Sequence, residues 1–398
     1  MKQENHKILT INSGSSSLKF ALYQIGNSEE ILFKGDFSKI GETNGSFQVK
    51  NSRGDNVIQR NMDLPDHHTA LEALSKWLKS DYPEHTITAI GHRVVHGGEE
   101  HKKPGLITEK LIKSLNNLIP FAPDHLPHQI KAIQSLHKLY PKLKQVACFD
   151  TSSHRNMPKL AKMFAIPREF YQQGVKRYGF HGLSYEYILS ELQQIEGKSA
   201  SSKRIIIAHL GNGASMAAVK DGRSVDTTMG FTPAGGLMMS SRSGDLDPGI
   251  IIYLLKEKHL NGDQLNQLIN QQSGLIGVSG ISSDMKMLIE KQKKESRAAE
   301  AIELFCYQAK KYLGALAAVL GGIDLLVFTG GIGENAPEIR ERICQQLDFL
   351  GIYLDKNLNE QNASVISVKD KPVAVRVIKT NEELMIARHT RKIITSKP

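Results

Sequence analysis

Short apolar runs separated by turns of small residues recur along the chain and predict strands in two separate regions. Residues 7–20 form the pattern of an apolar strand, a glycine and serine turn, and a second strand. Residues 204–219 repeat this pattern around Gly211-Asn212-Gly213. Such turns bend tightly and let backbone N–H groups approach an anion closely. One such turn is most often only a hairpin, but two in matching contexts predict two phosphate-binding turns in two related halves.

The remaining pattern alternates strands and helices. After the first hairpin we expect a β-meander to about Gln59, with turns at Asn44-Gly45 and Gly54-Asp55. Helical or buried-strand spacing is found in further segments, namely helices at 66–78, 107–118, 128–136 and about 298–320, and strands at 86–95, 145–149 and 324–328. The long helix ends at Gly321-Gly322, as a glycine C-cap predicts. This order predicts an α/β fold in both halves, typical of a duplicated fold.

Length and composition narrow the class of protein. The chain has 398 residues, 40% of them hydrophobic, and no apolar run near eighteen residues, so we expect two domains and neither disorder nor a membrane span. The polar opening leads directly into a strand, which argues against a cleavable signal. Cys148, Cys306 and Cys344 lie far apart in apolar or helical contexts, which predicts reduced core cysteines of a cytoplasmic protein.

The net charge of +10 and the pI near 9.2 first suggest a nucleic-acid partner. The basic residues are scattered, however, and no stripe interleaved with aromatic residues is present. A positive field that gathers anionic substrates explains this charge at least as well. We therefore expect neither a nucleic acid nor a membrane as a partner.

Two glycine motifs resemble nucleotide fingerprints and fit them poorly. Gly197-Lys198-Ser199 looks like the end of a P-loop, but Leu192 occupies the required earlier glycine position and no strand precedes the motif. Residues 331–336 match the spacing of a dinucleotide site after an apolar run. They come too late in the chain to open an ordinary Rossmann domain. We therefore predict a glycine turn beside a nucleotide in another fold.

Charged residues gather at the predicted ends of strands, where open α/β sheets bind ligands. Arg93 and His96 follow one strand, Asp150 follows another, and residues 176–182 and 240–245 form polar, glycine-containing loops. Any one such residue is usually a surface ion pair or a cap. Together, beside two anion-binding turns, they indicate phosphoryl transfer, in which cations neutralise the moving charge and carboxylates hold Mg²⁺.

These residues also resemble a known family. Nine motifs spread over nearly the whole chain are similar, in the same order, to those of the acetate and propionate kinase family, within the sugar kinase, Hsp70 and actin fold group. The motifs lie at 12–19, 91–99, 149–151, 177–182, 209–213, 226–233, 242–248, 330–335 and 380–383.

The resemblance implies two duplicated actin-like, ribonuclease H-like domains with a nucleotide cleft between them. We place these domains at 1–150, with 384–398 returning to it, and at 151–383. It also implies a homodimer that transfers a phosphoryl group reversibly from ATP to acetate, with Mg²⁺ or alternatively Mn²⁺, giving acetyl phosphate and ADP. Propionate or another short-chain acid stays open as the substrate. A non-enzymatic ATP-binding module is a further alternative, but it has no need of Arg93, His181 and Arg242 together.

The resemblance assigns a role to each matching residue. It assigns catalysis to Asp150, Arg93, His181 and Arg242, and Mg²⁺ binding to Asn12 and Glu382. It assigns nucleotide binding to Lys19, His209, Leu210, Gly211, Asn212, Gly213, Asp284, Met285, Lys286, Gly331, Ile332, Gly333, Glu334 and Asn335. It gives the wall of the acyl pocket to Val95, Phe180 and Pro233.

Chemistry qualifies the acid/base role usually given to Asp150. The substrate carboxylic acid is already ionised at neutral pH, so its oxygen needs no base. We expect Asp150 to position Mg²⁺ and Arg242 during direct in-line transfer. The chain also departs from the family: Asp124 replaces a leucine of the acyl pocket, Tyr185 replaces a histidine, and Lys286 stands where an arginine packs on the base. With Asp124 in that wall, we expect acetate to be preferred over propionate and butyrate to be poor.

Overall fold

The computed structural model describes residues 5–82 and 87–396, apart from the side chain of Lys198. The chain divides into two compact units, which we call unit 1 (Met1–Ser152 with Asn381–Pro398) and unit 2 (Ser153–Thr380). The strands are β1 His6–Ser13, β2 Ser17–Ile25, β3 Glu29–Ser38, β4 Glu42–Asn51, β5 Asn56–Leu64, β6 Ala89–Val94, β7 Gly105–Leu106, β8 Lys144–Phe149, β9 Ile205–Leu210, β10 Ala214–Lys220, β11 Arg223–Thr227, β12 Leu325–Thr329 and β13 Ala374–Val377.

The helices alternate with these strands along the chain. They are α1 His67–Asp81, α2 Glu109–Asn117, α3 Leu126–Leu139, α4 Lys159–Lys162, α5 Arg168–Gln172, α6 Gly182–Glu196, α7 Pro248–Lys256, α8 Gly262–Gln271, α9 Gly274–Ser279, α10 Met285–Lys291, α11 Ser296–Leu320, α12 Gly330–Asn335, α13 Pro337–Cys344, α14 Lys356–Glu360 and α15 Glu382–Thr395.

Unit 1 is built on a sheet with the strand order β5-β4-β3-β2-β1-β6-β8-β7. Strands β1 to β5 form an antiparallel meander, whereas β1, β6 and β8 run parallel. One face of the meander buries an aromatic cluster, in which the rings of Phe37 and Phe47 stack with centroids 4.2 Å apart and Trp77 of α1 packs edge-on against Phe33. Because β1, β6 and β8 are parallel, their carboxyl ends meet at one edge of the sheet.

Unit 2 repeats this arrangement with five strands. Its order is β11-β10-β9-β12-β13, with antiparallel pairs between β9, β10 and β11 and parallel pairs between β9, β12 and β13. This is the same order and direction as β3-β2-β1-β6-β8 of unit 1. The predicted duplicated α/β fold is therefore confirmed.

Helix α15 belongs to unit 1 although unit 2 precedes it in the chain. It packs on β1, β6 and β8 and buries Ile386, Ala387 and Thr390. The helix approaches β6 so closely at Gly91 that a Cβ there would lie 2.3 Å from Oγ1 of Thr390 and 2.6 Å from Cγ2 of Ile386. Only glycine fits this contact without displacement of the helix.

Several predicted boundaries need correction. The expected turn at Asn44-Gly45 is wrong, because both residues lie within β4 and the chain turns at 39–41, where Lys39 and Gly41 have positive φ. Gly45 is needed for packing instead, since a Cβ there would lie 2.5 Å from Cδ1 of Leu64. The expected glycine turn at 331–336 is also wrong, because residues 330–335 form the short helix α12.

Other predicted elements match in place, with shifted ends. The strand predicted at 86–95 is β6, and its first predicted residue, Thr86, lies outside the described residues. The helix predicted from His128 begins two residues earlier, with Pro127 in its first turn, where proline loses no hydrogen bond. Cys148, Cys306 and Cys344 are buried and form no disulfide, as predicted. Among the described residues, no helix is both long and apolar enough to cross a membrane.

Candidate active site

In unit 1, polar side chains follow the carboxyl ends of the parallel strands. Asn12 lies at the end of β1, Arg93 near the end of β6, and Asp150 directly after β8. Glu382 opens α15 in the same unit. The parallel registers of β1, β6 and β8 bring these residues together, although they are distant in the chain.

Arg93 and Asp150 form the central ion pair of this group. Asp150 is fully buried, and its two carboxylate oxygens accept from Nε of Arg93 at 3.1 and 3.0 Å and from Nη2 at 2.5 Å. Burial acts to lower the pKa of Arg93, but Asp150 and Glu382 outweigh it, so this pKa is raised and the guanidinium stays charged. Pairing of Asp150 with Arg93 was not predicted from the sequence, from which Asp150 is expected to position Mg²⁺ and Arg242.

Two oxygens beside this ion pair come from predicted metal ligands. Nη1 of Arg93 donates to Oδ1 of Asn12 at 3.2 Å, and Nε lies 3.9 Å from Oε2 of Glu382. Burial, together with the nearby charges of Asp150 and Glu383, raises the pKa of Glu382 to about 7, against the opposing effect of Arg93. The excess of acidic over basic side chains gives this position an affinity for a cation.

The oxygen donors of Asn12, Asp150 and Glu382 fit a hard divalent cation. Among the described residues, no group of three or more His, Cys, Asp or Glu side chains is arranged to hold a metal ion alone. Mg²⁺ does not need one, because it is usually held by one or two carboxylates together with substrate phosphates and water. The residues present therefore suit Mg²⁺ bound with a nucleotide better than a closed protein site.

The turn after β1 and the first residues of β2 complete the unit 1 group. Lys19 pairs across the hairpin with Asn12, which places its exposed side chain near Glu382. Gly14, in the turn between β1 and β2, does not have a positive φ. Its N–H donates to the carbonyl of Ser17 at 2.8 Å. Val95 is buried just beyond β6, and its N–H donates to Oε1 of Gln129.

In unit 2, the turn Gly211-Asn212-Gly213 joins β9 to β10 and is surrounded by functional side chains. A Cβ at Gly213 would lie 3.0 Å from Nε2 of His181 and 3.5 Å from Nη2 of Arg242. Gly213 therefore has no side chain because these two groups occupy the space, and not because φ is positive. An imidazole and a guanidinium thus border one point of the turn.

His181 is held in a strained and specific conformation. It is the N-cap of α6 with φ of 58°, in the left-handed region that side chains rarely adopt. Its Nδ1 lies 2.8 Å from Oγ of Ser215, and its ring stacks on that of His209, with centroids 4.3 Å apart. Nδ1 of His209 in turn lies 2.8 Å from Oγ of Ser184.

Arg242 is fixed by the segment that also carries the predicted pocket residue Pro233. Nη1 of Arg242 donates to the carbonyl of Pro233 at 2.8 Å. Phe180 is 1% exposed, and its carbonyl accepts from Nε2 of His154 at 3.1 Å. Pro233 and Phe180 therefore have backbone roles in the site that the sequence did not reveal.

The short helix α12 lies beside the hairpin, because a Cβ at Gly211 would be 3.6 Å from the backbone N of Gly331. Glu334 ties this helix to the end of unit 2: its Oε1 accepts from the N–H groups of Gly330 at 2.9 Å and Thr380 at 3.0 Å. Nδ2 of Asn335 donates to the carbonyl of Gly331 at 2.9 Å. The carboxylate of Glu334 and the amide of Asn335 therefore both bond to backbone groups in the first turn of α12.

The other predicted nucleoside residues lie at the start of α10. Asp284 is the N-cap of this helix, and its carboxylate accepts from the N–H of Lys286 at 2.9 Å. Met285 is buried, whereas Lys286 is exposed. Asp284 thus has a capping function that suffices to explain a carboxylate there.

Two further residues noted in the sequence, His96 and Asp124, also lie in unit 1. His96 is fully buried, with Nδ1 accepting from the N–H of Gly98, and burial lowers its pKa to about 4. It is therefore uncharged at neutral pH and cannot neutralise a phosphate. Asp124 is half-buried in the turn before α3, where its charge acts on His128 of that helix.

Comparison with known proteins agrees with this fold. Residues 7–388 match the model of the acetokinase family. The chain is 46% identical to an acetate kinase of Rhodopseudomonas palustris over 394 residues, covering 97% of this chain and 98% of that protein.

Solved structures give the same result. The structure superposes on an acetate kinase of Porphyromonas gingivalis with a TM-score of 0.89 at 39% identity, and on a propionate kinase of Francisella tularensis with a TM-score of 0.92 at 36% identity. Both matches cover 98% of this chain and 100% of the other. The chain therefore belongs to the acetokinase family.

Proposed function

We propose that this protein transfers a phosphoryl group reversibly between ATP and acetate, giving acetyl phosphate and ADP. The observation that carries this proposal is the position of His181 Nε2 and Arg242 Nη2 against Gly213 of the hairpin turn. An imidazole and a guanidinium at one point suit the charge that spreads over a transferring phosphoryl group. A non-enzymatic ATP-binding module would need only the turn.

The chemistry requires positioning more than proton transfer. Acetate is ionised at neutral pH, so its carboxylate oxygen can attack phosphorus without a general base. Asp150 accepts three hydrogen bonds from Arg93, which supports a role in fixing Arg93 for the substrate carboxylate. Arg93, His181 and Arg242 then stabilise the reacting anions, while Val95, Phe180 and Pro233 wall the acyl group.

The nucleotide and its metal use the remaining residues. Asn12 and Glu382 would hold Mg²⁺, and Lys19 with residues 209–213 would bind the phosphates. Mg²⁺, when bound, neutralises phosphate charge and aligns the phosphoryl group. Residues 331–335 and 284–286 would contact the nucleoside. Since Lys286 is an exposed point charge and not a planar guanidinium, we propose only modest discrimination between ATP and GTP.

Trapping the product tests the reaction. Purified protein with ATP, MgCl₂, acetate and hydroxylamine should yield acetyl hydroxamate, and the yield should fall to background when EDTA replaces MgCl₂. Among acids we expect acetate to react best, propionate less well and butyrate poorly, because each added methylene changes transition-state binding by about 1 to 3 kcal/mol. The propionate kinase similarity makes propionate the alternative substrate. A higher kcat/KM with propionate would favour that alternative, and no hydroxamate with any acid would contradict the proposal.

We also propose a homodimer, supported by the surface of α7. Four large apolar residues of this nine-residue helix, Ile250, Ile252, Tyr253 and Leu255, are each between 41% and 54% exposed. Exposed apolar patches of this kind mark association sites, and a second copy of the chain is the partner that family membership favours.

Light scattering after size exclusion measures the dimer. The wild type should have twice the chain mass of 44.2 kDa. Ile252→Glu should shift the protein toward the monomer, because a charge would be buried in the apolar contact. Leu160→Glu, at a residue that is 85% exposed on α4, should leave the mass unchanged. A monomeric wild type would rule out the proposed dimer.

A further inference from the structure

Tyr185 lies one helical turn after His181 and has no role in the reaction as described so far. Its side chain is 1% exposed. Its hydroxyl lies 2.5 Å from Oγ of Ser215 and also bonds to the hydroxyl of Thr227. Because Ser215 contacts Nδ1 of His181 at 2.8 Å, four groups form a continuous buried chain from the imidazole to Thr227.

The direction of the hydrogen bonds in this chain follows from counting protons. Thr227 donates its only hydroxyl proton to the carbonyl of Met216 at 2.9 Å, so toward Tyr185 it can only accept. Tyr185 must therefore donate to Thr227. Burial raises the pKa of Tyr185 above its ordinary value, which keeps this proton in place.

The same count continues to the imidazole. With its own proton on Thr227, the Tyr185 oxygen can only accept toward Ser215, so Ser215 donates to Tyr185. Ser215 can then only accept from His181. Every contact in the chain contains one proton only when Nδ1 of His181 carries a hydrogen, whereas the opposite tautomer leaves two oxygen lone pairs facing each other in a buried site.

We propose that Tyr185 is a positioning residue: through Ser215 it keeps a proton on Nδ1 of His181, so that a second proton, taken up when an anionic phosphoryl group arrives, goes to Nε2. This inference rests on the proposed phosphoryl transfer, in which Nε2 meets that group. The second proton comes from solvent, and His181 becomes an imidazolium with both N–H groups bonded. A charged donor binds a phosphoryl oxygen more strongly than a neutral one.

Two neighbouring groups make this arrangement conditional on the ligand. Arg242 Nη2 shares the space at Gly213 with Nε2, and the ring of His209 stacks on that of His181. A second positive charge beside Arg242 is unfavourable until an anion lies between them. Protonation of Nε2 is therefore coupled to arrival of the phosphoryl group, and the hydroxyl chain fixes Nδ1 as the nitrogen that is already protonated.

Nitrogen-15 spectroscopy reads the tautomer directly. Long-range proton to nitrogen spectra of the ligand-free, labelled protein at pH 8 should show His181 protonated at Nδ1, with its signals identified among the 15 histidines by their loss in His181→Asn. In Tyr185→Phe, Ser215 loses its acceptor and turns its proton to Nδ1, so the proton of His181 should move to Nε2. Thr227→Val should give the same change from the far end of the chain. Tyr178→Phe, which removes a hydroxyl from the carbonyl of Gly174, is the matched control and should change nothing at His181.

Kinetics test the consequence for the reaction. Tyr185→Phe should lower kcat by about tenfold, the difference between a charged and a neutral donor, with KM values for ATP and acetate changed less than about twofold. Ser215→Ala should give a similar loss, and adding Tyr185→Phe to it should cost nothing more, because Tyr185 acts through Ser215.

The outcomes separate this inference from the proposed function. The tautomer spectra need no substrate, so they decide the role of the hydroxyl chain even if the wild type makes no acyl hydroxamate. A wild-type His181 protonated at Nε2, an unchanged spectrum in both Tyr185→Phe and Thr227→Val, or the same change in Tyr178→Phe would each overturn the proposal. Multiplicative losses in the double variant would overturn the route through Ser215. If Tyr185→Phe fails to fold, Thr227→Val alone decides the tautomer.

Discussion

At the scale of single residues, the candidate site is defined by the hydrogen bonds that each charged group makes within the protein. Nη1 of Arg242 donates to the carbonyl of Pro233. Its Nη2 lies 3.5 Å from the position that a Cβ of Gly213 would occupy. A guanidinium that is anchored at one nitrogen and directed at the hairpin with another is preorganised for a phosphoryl oxygen. Preorganised donors of this kind account for much of the rate of phosphoryl transfer.

Removal of Arg242 measures this contribution. Arg242→Ala should lower kcat by about a hundredfold or more, the range found for loss of one preorganised donor. Arg242→Lys should recover little of it, because a single ammonium cannot hold the Pro233 carbonyl and a phosphoryl oxygen with the same geometry. Steady-state kinetics gives kcat, and thermal unfolding checks that both variants fold. An unchanged kcat in Arg242→Ala would remove this residue from the site.

The identities of these residues could be predicted from the sequence, but their partners could not. The family motifs selected Arg93, Asp150 and Arg242, and the first two also stand at the predicted ends of strands. They did not predict the pair of Arg93 with Asp150, since these residues are brought together only by the parallel register of β6 and β8. Tyr185 was noted only as a departure from the family pattern, because a buried tyrosine on a helix resembles any core residue.

At the scale of elements, α12 depends on a buried arginine. Arg340 is fully buried, and its guanidinium donates to the carbonyls of Gly333 and Glu334 at 2.9 and 3.2 Å and to three oxygens of Asn359 and Asn362. Burial lowers its pKa to about 10, which still leaves it charged at neutral pH. The charged guanidinium of Arg340 therefore supports α12 through the carbonyls of Gly333 and Glu334.

Arg340→Lys should destabilise unit 2 by about 3 kcal/mol, because an ammonium has three donors for five buried acceptors. Urea denaturation measures this loss, and an increased KM for ATP should accompany it if α12 contacts the nucleoside. Arg342→Lys is the control on the neighbouring surface. Its pair with Glu338 has side chains 29% and 38% exposed and should contribute less than about 1 kcal/mol. Equal losses in the two variants would contradict the role given to Arg340.

Local patterns predicted the elements well where periodicity was long and poorly where glycines had several uses. The helix from 298 to 320 was predicted within two residues of α11, because its apolar spacing extends over many turns. Asn44-Gly45 was misread as a turn, since the packing against Leu64 that requires Gly45 is a long-range contact. Short helices such as α12 fall below the length at which apolar spacing is informative.

At the scale of the whole molecule, buried histidines make stability depend on pH, and two of them, His92 and His154, have the same lowered pKa as His96. Nε2 of His92 lies 2.6 Å from Oε1 of Gln145, and His154 bonds to Ser224 and to the carbonyl of Phe180. Burial lowers the pKa of both histidines to about 4, against about 6.5 in the unfolded chain. Both are thus neutral when folded, one in each unit.

The free energy of unfolding should therefore fall as the pH decreases from about 6.5 toward 4, where only the unfolded chain takes up these protons. Each histidine accounts for up to about 3 kcal/mol over this range and for nothing above it. Urea denaturation at several pH values measures the slope. His154→Gln cannot take up the proton and should reduce the slope by about one proton. An identical slope in this variant would exclude His154 as a source of acid sensitivity.

Placement of α15 in unit 1 has a consequence for synthesis on the ribosome. Every strand of the unit 1 sheet lies before residue 150, but the helix that covers β1, β6 and β8 is made only after the whole of unit 2. The apolar face around Gly91 therefore remains exposed to solvent while residues 153–380 emerge from the ribosome. We expect the nascent chain to complete unit 2 first and unit 1 last, with α15 closing a surface that a holding chaperone can bind in the meantime.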